Sequence, residues 1–142
     1  MPTVKIPCYC GTLRQATRAL TTLYDERLQP AGVRVTQFTI LQVLSVKPKS
    51  RIRDLEDILA MDQTTLTRNM ALLARRGLIE VVERPSGREK CWGLTAAGEE
   101  TLATGKPLWE SAQAEVRARL GAQRSRSLHG DLYDLAAAFS GV

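Results

Sequence analysis

The chain has 142 residues, of which 44% are hydrophobic, and this fits one folded domain and excludes a disordered chain. Aromatic residues make up only 5%, which disfavours a protein that stacks sugars or builds an aromatic cage. The formal net charge is +5, and residues 34–95 carry most of the excess, with 11 basic against 7 acidic residues, which favours an anionic partner such as nucleic acid.

Three helices are predicted in the first part of the chain. Residues 11–28 repeat apolar side chains at helical spacing, and QPAG at 29–32 ends that helix with Pro and Gly. Thr36 is the predicted cap of a second, mostly buried helix. After the basic break KPKS, Ser50 precedes either a short strand or the cap of a third helix, which carries Leu55 and Leu59.

A fourth helix is predicted in the stretch DQTTLTRNMALLARRGLI, residues 62–79. Asp62 is a good N-cap, and Gly77 stands where a left-handed residue ends a helix. Leu66, Met70 and Leu73 fall on one face. Beside this apolar face lies a face of Gln, Thr and Arg, which is more polar than packing alone would require.

A β-hairpin and two helices complete the predicted order. LIEVVER and KCWGL read as strands around the turn PSGRE. Thr95 caps a long helix that GKP at 105–107 should kink or interrupt and that Gly121 ends. The last helix covers about residues 123–140.

This order predicts a mainly α, winged helix-turn-helix fold with a two-stranded wing. In such a fold the second helix of the pair enters the major groove of DNA. Gln can pair with adenine, Arg with guanine, and a Thr methyl with thymine. The candidate base-reading residues are Gln63, Thr64, Thr65, Thr67 and Arg68, with Arg75 in the last turn as a further DNA contact. The alternative is a solvent-exposed helix that carries threonine by chance.

The wing is predicted to contact DNA through Arg84, Arg88 and Lys90. Arginine suits the narrow minor groove, where the negative potential is strongest. The alternative is an ordinary charged turn, since Glu83 and Glu89 dilute the patch and charge alone more often marks a solvated surface.

Three segments, VTQFTILQVL (35–44), LTRNMALLARRGLI (66–79) and SGREKCWGLTAAGEE (86–100), resemble the MarR family of bacterial transcription regulators in order and spacing. The resemblance implies a homodimer on a pseudo-palindromic operator, usually a repressor, released by a small molecule or by thiol oxidation. It also implies one domain over residues 1–142, with a DNA-binding lobe at 34–95 and dimerisation helices at 1–33 and 96–142. The family's wing usually reads Asp-x-Arg; here Arg88 matches and Ser86 stands at the Asp position.

The first and last helices are expected to form the dimer. Their apolar stripes lie far in sequence from the winged-helix core, and a small lobe cannot cover them all, so a two-fold partner is the expected cover. The predicted interface residues are Leu13, Leu20, Leu128, Leu132, Leu135 and Phe139. The resemblance implies an effector pocket between the lobe and these helices, with Arg14 as an anion partner for an aromatic or anionic ligand.

No enzyme motif stands out in the chain. We find no His-Glu metal motif, no Gly-rich phosphate loop and no nucleophile with an obvious base, so no catalytic residue, cofactor or metal is predicted. The single histidine, His129, is expected to be an ordinary surface or interface residue. A winged-helix module that binds proteins and not DNA is the remaining alternative, and the basic wing argues against it.

The three cysteines leave two interpretations open. Cys8 and Cys10 form a C-x-C near the start, and Cys91 lies in the second wing strand. They are either redox or soft-metal sensors, or small, partly buried hydrophobic residues, which we favour. An i, i+2 disulfide is strained, so an oxidised bond would join different segments or subunits.

The sequence also predicts a cytoplasmic protein without membrane contact. No stretch approaches the ~20 apolar residues that span a bilayer, and MPTVKIPCYCG lacks the apolar segment of a signal peptide. An odd number of cysteines does not suggest a disulfide framework.

Overall fold

A computed structural model describes residues 4–84 and 89–141 of the chain. It confirms the mainly α fold with a two-stranded antiparallel wing and the predicted order of elements. None of the helices in these two ranges combines the length and apolar character that crossing a bilayer requires. The elements are α1 (Tyr9–Leu28), a 3-10 turn (Gln29–Ala31), α2 (Val35–Val46), α3 (Ile52–Leu59), α4 (Gln63–Arg75), β1 (Ile79–Glu83), β2 (Cys91–Leu94), α5 (Ala96–Leu120) and α6 (Ala122–Phe139).

The hydrophobic core lies between α2, α3, α4 and the start of the wing, with α2 at its centre. Helix α2 contributes Phe38, Ile40, Leu41 and Leu44, all essentially inaccessible to solvent. The core is closed by α3, α4 and the start of β1, through Leu55, Leu66, Met70, Leu73, Leu78 and Ile79. Helix α4 is therefore fixed to the lobe by one face only, as the sequence pattern predicts.

The predicted cap of α2 is wrong, because Thr36 lies inside the helix. The helix begins at Val35 with Arg34 as its N-cap residue. The Val35 N–H donates to Asp25 Oδ1 at 2.8 Å, and the Arg34 N–H donates to Gln37 Oε1 at 3.1 Å. These two acceptors satisfy free N–H groups at the start of a helix that begins before Thr36.

Ser50 belongs to a short extension of the wing and does not cap α3. It pairs with Trp92 as an isolated β-bridge, with the Trp92 N–H donating to the Ser50 carbonyl at 2.8 Å. Helix α3 comes next, and Asp54 accepts hydrogen bonds of 3.0 Å from the side chain and the backbone N–H of Arg51. These bonds hold the pKa of the Asp54 carboxyl well below its usual range.

Helix α5 runs without interruption through Pro107, so the predicted interruption at GKP is wrong, whereas the alternative of a kink stays a prediction. A proline removes a single helical N–H, and Pro107 is exposed, so water can satisfy the carbonyl that loses its partner. Gly105, two residues earlier, is buried against Phe38, where an added Cβ would lie 2.9 Å from Phe38 Cε2. Close packing on α2 therefore keeps this part of α5 in place.

Three predicted helix boundaries are confirmed. The Gly98 N–H donates to Thr95 Oγ1 at 3.0 Å, which caps α5, and Gly121 ends that helix with φ +87°. Gly77 follows α4 with φ +72°, a left-handed conformation that glycine adopts without strain.

Candidate nucleic-acid interface

The start of α4 is organised by Asp62. The Thr65 N–H donates to Asp62 Oδ2 at 3.0 Å, which confirms the predicted N-cap. Hydrogen bonds from the hydroxyl and the backbone N–H of Thr65 lower the pKa of the Asp62 carboxyl. The first turn of the helix, which carries the candidate base-reading residues, is fixed by this carboxylate.

We expect Asp62→Ala to lower the thermal midpoint of unfolding by about 2–5 °C, because the cap is lost. Since the carboxyl pKa is lowered in the folded state, the stabilisation is present above the ordinary carboxyl pKa. It is lost as the pH falls through the lower, folded value. Thermal melts from neutral to acid pH measure this. Asp62→Asn, which keeps an acceptor without a charge, is the control, and wild-type stability of Asp62→Asn at neutral pH would contradict the electrostatic part.

Four of the five candidate base-reading side chains share one exposed surface. Gln63, Thr64, Thr67 and Arg68 line a shallow depression together with Ala71, on the side of α4 away from the core. Ala71 was missed by the sequence analysis, although its i+4 spacing from Thr67 places it on this face.

Two further predicted contacts on α4 lie off this surface. Thr65 is half-buried, its N–H is bound by Asp62, and its carbonyl accepts from Asn69 Nδ2 at 3.0 Å. Arg75 is exposed in the last turn, at the opposite end of the helix from Gln63. Neither lines the depression that the other four form.

The wing carries Arg84 and Lys90 at the end of the hairpin where its strands lead into the turn. Val81 pairs with Trp92, and the register shifts before Glu83, as at a β-bulge. Arg84 and Lys90 are exposed beyond the two strands, with the Lys90 ammonium 5.9 Å from the centre of the Trp92 ring. Arg88 and Ser86 lie outside the residues that the structure describes.

A second group of basic residues lies between α4 and the wing, and the sequence analysis missed it. Arg51 and Arg53 contact Glu89 at 3.4 and 3.1 Å, and Lys49 contacts Glu83 at 3.3 Å. The only sequence signal is the density of basic residues in KPKSRIR, residues 47–53. The pairing itself depends on the fold.

The predicted dimer residues form an uncovered apolar stripe in the single chain. Leu128, Leu132, Leu135 and Phe139 recur along one side of α6, and each is more than a third exposed. No residue of α6 is buried, although the helix packs on α5. On α1, Leu20 is exposed and Leu13 is half-buried.

Two cavities lie next to the helices that join the lobe to the rest of the chain. The larger, about 690 Å³, lies between α1, the start of α2 and the end of α4, and its cations are Arg34 and Arg76. The smaller, about 360 Å³, lies between α1, α5 and α6. Arg14 is exposed on α1 and lines neither of them.

The cysteines divide into two environments. Cys91 is buried, as a small hydrophobic residue would be, whereas Cys8 and Cys10 are exposed, so the packing interpretation is wrong for these two in the single chain. Cys8 Sγ accepts from the Gly11 N–H at 3.4 Å and thereby caps α1.

His129 is exposed on α6, with its ring edge-on to Tyr133 at 5.9 Å between centroids. Residues 4–84 and 89–141 contain no group of three or more side chains that could hold a metal ion.

Comparisons with known proteins relate this architecture to DNA-binding regulators. Residues 35–98 match the family model described as a winged helix DNA-binding domain. The chain is similar to the M. tuberculosis transcriptional regulator MosR in complex with DNA, at 38% identity over 94% of this chain and 98% of that one, with a TM-score of 0.79. Comparison with the sequences of curated proteins gives no significant match.

Two more distant structures share the fold. A mutant MarR from E. coli complexed with operator DNA aligns with a TM-score of 0.79 at 21% identity, over 87% of this chain and 90% of that one. The PcaV transcriptional regulator from Streptomyces coelicolor, in complex with its natural ligand, aligns with a TM-score of 0.81 at 22% identity over 99% of both chains.

Proposed function

The chain belongs to the MarR family of winged-helix transcriptional regulators, and from this we propose that it is a homodimeric repressor that binds a pseudo-palindromic operator. One observation carries the proposal. Helix α4 is held by a buried apolar face and leaves Gln63, Thr64, Thr67 and Arg68 together on an exposed surface. Such a surface offers both hydrogen-bond donors and methyl groups to base edges in the major groove.

The wing and the ends of α4 supply the non-specific part of the proposed interface. Arg84 and Lys90 are exposed beside the strands, and Arg75 is exposed at the far end of α4. Cations at these positions can bind phosphates, which position the protein without reading sequence. Arg88 stays a predicted member of this group.

A gel shift with the DNA upstream of the protein's own gene tests the proposal. We expect a retarded complex that survives an excess of unrelated duplex, because base contacts are made only on the operator. Binding to neither duplex at low salt would contradict the proposal and favour a module that binds proteins. Equal binding to both duplexes would mean that the protein binds DNA without sequence specificity.

We further propose that a small aromatic or anionic ligand releases the operator. The 690 Å³ cleft supports this, because it touches both the dimerisation helix α1 and the end of α4. Across it, Arg76 Nη1 donates to the Gly32 carbonyl at 2.7 Å. An anion that paired with this guanidinium would break the hydrogen bond to Gly32 and detach the end of α4 from the α1–α2 turn. The spacing of the two recognition helices would then change.

Effectors are tested by adding candidate aromatic acids and other small anions to the gel shift. The expected result is loss of the complex at a ligand concentration that leaves the protein folded and dimeric. Arg14 lines neither cavity in the single chain, so we propose it as a contact only for a site that the partner completes.

Thiol oxidation is a second candidate function, favoured by the exposure of Cys8 and Cys10 at the start of a dimerisation helix. Because Cys8 Sγ caps α1, oxidation there would disturb the helix that positions the lobe.

We expect thiol chemistry to be dispensable for DNA binding itself. A Cys8→Ser/Cys10→Ser variant should bind DNA as tightly as the wild type under reducing conditions, because serine also caps helices. Binding measured after peroxide treatment then decides the regulatory role. Loss of DNA by the wild type alone establishes the redox function, whereas equal retention by both proteins removes it.

A further inference from the structure

The gap between α4 and the wing is lined by charged side chains. It contains Gln63 from the start of α4 and Glu89 and Lys90 from the wing, which places it beside the proposed DNA surface. Its lining is Arg51, Ile52, Arg53, Glu56, Gln63, Glu89, Lys90 and Trp92. A role for this gap in DNA binding rests on the proposed function, in which α4 enters the major groove and the wing contacts the minor groove.

The geometry of DNA then fixes what crosses this gap. A major groove and the neighbouring minor groove are separated by one sugar-phosphate strand. If α4 lies in the first and the wing in the second, that strand must pass over the space between them. The side chains in the gap therefore face phosphates, and a carboxylate there competes with them for the same cations.

The cations of the gap differ in how firmly they are held. Arg51 makes two hydrogen bonds of 3.0 Å to Asp54, one to each carboxylate oxygen, so its charge is already matched within α3. Arg53 contacts Glu89 at 3.1 Å and has no other ion-pair partner in residues 4–84 and 89–141. Both of these side chains are more than half exposed, so this pair can separate at little cost.

We propose that Arg53 is a DNA phosphate contact and that Glu89 is its internal competitor, which Arg53 exchanges for a phosphate when DNA binds. Arg51 lies 3.4 Å from Glu89 and holds the carboxylate after the exchange. Glu89 thus lowers the affinity for the DNA backbone and the salt sensitivity of binding, without contact to any base.

Salt dependence reports this exchange. A phosphate contact releases condensed cations from DNA, with a slope of about 0.9 per contact in the logarithmic plot. In the wild type, Glu89 keeps only its contact with Arg51 after the exchange, and the cations that this exposed carboxylate attracts from solution offset part of that release. Removing the carboxylate should therefore strengthen binding and steepen the slope, whereas removing Arg53 should do the opposite.

The experiment measures DNA affinity across a salt series for the wild type, Arg53→Ala, Glu89→Gln and the double variant. Each protein is tested on a duplex from the region upstream of its own gene and on an unrelated duplex. We expect Glu89→Gln to tighten binding to both duplexes by about two- to fivefold per lobe, and Arg53→Ala to weaken both by a similar factor. In the Arg53→Ala background, Glu89→Gln should have a much smaller effect. Glu110→Gln makes the same charge change at an exposed position on α5 and should leave binding unchanged.

Two results would overturn the inference. Weaker binding by Glu89→Gln, with an unchanged thermal midpoint, would mean that the pair braces the wing for DNA. Wild-type affinity and slope in Arg53→Ala would mean that no phosphate is contacted there. A wild type that binds neither duplex would instead contradict the proposed function, so the two failures are distinguishable.

Discussion

Replacing Arg68 with alanine is expected to weaken each recognition helix on its half-site by about 1–3 kcal/mol and to relax the preference at one base position. Arg68 is exposed, shares the depression on α4 with Gln63 and Thr67, and has no ion-pair partner among the described residues. Its guanidinium is therefore available for a bidentate contact to a guanine. A dimer carries two copies of Arg68, so the total effect is large.

A variant of the wing provides the contrast to Arg68→Ala. Arg84 is exposed at the end of β1, where phosphates and the minor groove offer charge but little sequence code. Arg84→Ala should weaken binding to many sequences evenly and flatten the salt slope by about 0.9 for each phosphate that is no longer bound. The same expectation holds for Arg88, which lies outside the described part of the chain.

A salt titration of both variants on the operator and on a half-site mutant separates these effects. If Arg68→Ala kept full affinity and full discrimination, α4 would not be the reading element. If Arg84→Ala left affinity and slope unchanged, Arg84 at the end of β1 would not touch DNA. Thermal melts of each variant exclude unfolding as the cause of any loss.

The position of α4 could be predicted from sequence because its signals are local. The Asp62 cap, the apolar spacing of Leu66 and Met70, and the glycine at 77 act within a few residues of chain, and the structure confirms each of them. The same holds for the Thr95 cap of α5. Local hydrogen bonding and helical periodicity require no knowledge of the rest of the fold.

The features that sequence could not predict depend on contacts between distant segments. Glu89 meets Arg53 only because the β-bridge between Ser50 and Trp92 brings the start of α3 to the wing. The predicted Thr36 cap is wrong for a similar reason, because Asp25 on α1 accepts from the Val35 N–H and α2 begins there. In both cases a charged group distant in sequence takes the place of a local partner.

Leu132→Asp is expected to dissociate the dimer and abolish tight operator binding together. The stripe of Leu128, Leu132, Leu135 and Phe139 runs along about three turns of α6, and it stays exposed within the described part of the single chain. Burying a Leu or Phe side chain stabilises an interface by about 1.5–3 kcal/mol, and a two-fold partner buries the stripe twice. The three leucines are already more than half covered within the chain, so each adds only part of that figure, and the remainder of the two-fold interface, including α1, helps to offset the cost of association.

A carboxylate in the centre of that stripe would be buried without a partner, which is far more costly than the loss of one leucine. Light scattering at micromolar concentration should therefore give a monomer mass for Leu132→Asp and a dimer mass for the wild type. Ala137→Asp, which adds the same charge on the opposite, exposed side of α6, should remain a dimer. A monomer mass for the wild type itself would contradict the homodimer.

The loss of DNA binding follows from the geometry of a two-fold operator. In a dimer, the second α4 reaches its half-site from a fixed position, so both half-sites are bound at the entropic cost of one association. For a monomer, each half-site is bound in a separate association with its own entropic cost. Leu132→Asp should thus lose far more affinity than Arg68→Ala, although Leu132 lies on α6, outside the proposed DNA surface. Retention of operator affinity by a proven monomer would show that one lobe suffices, and the pseudo-palindrome would no longer be required.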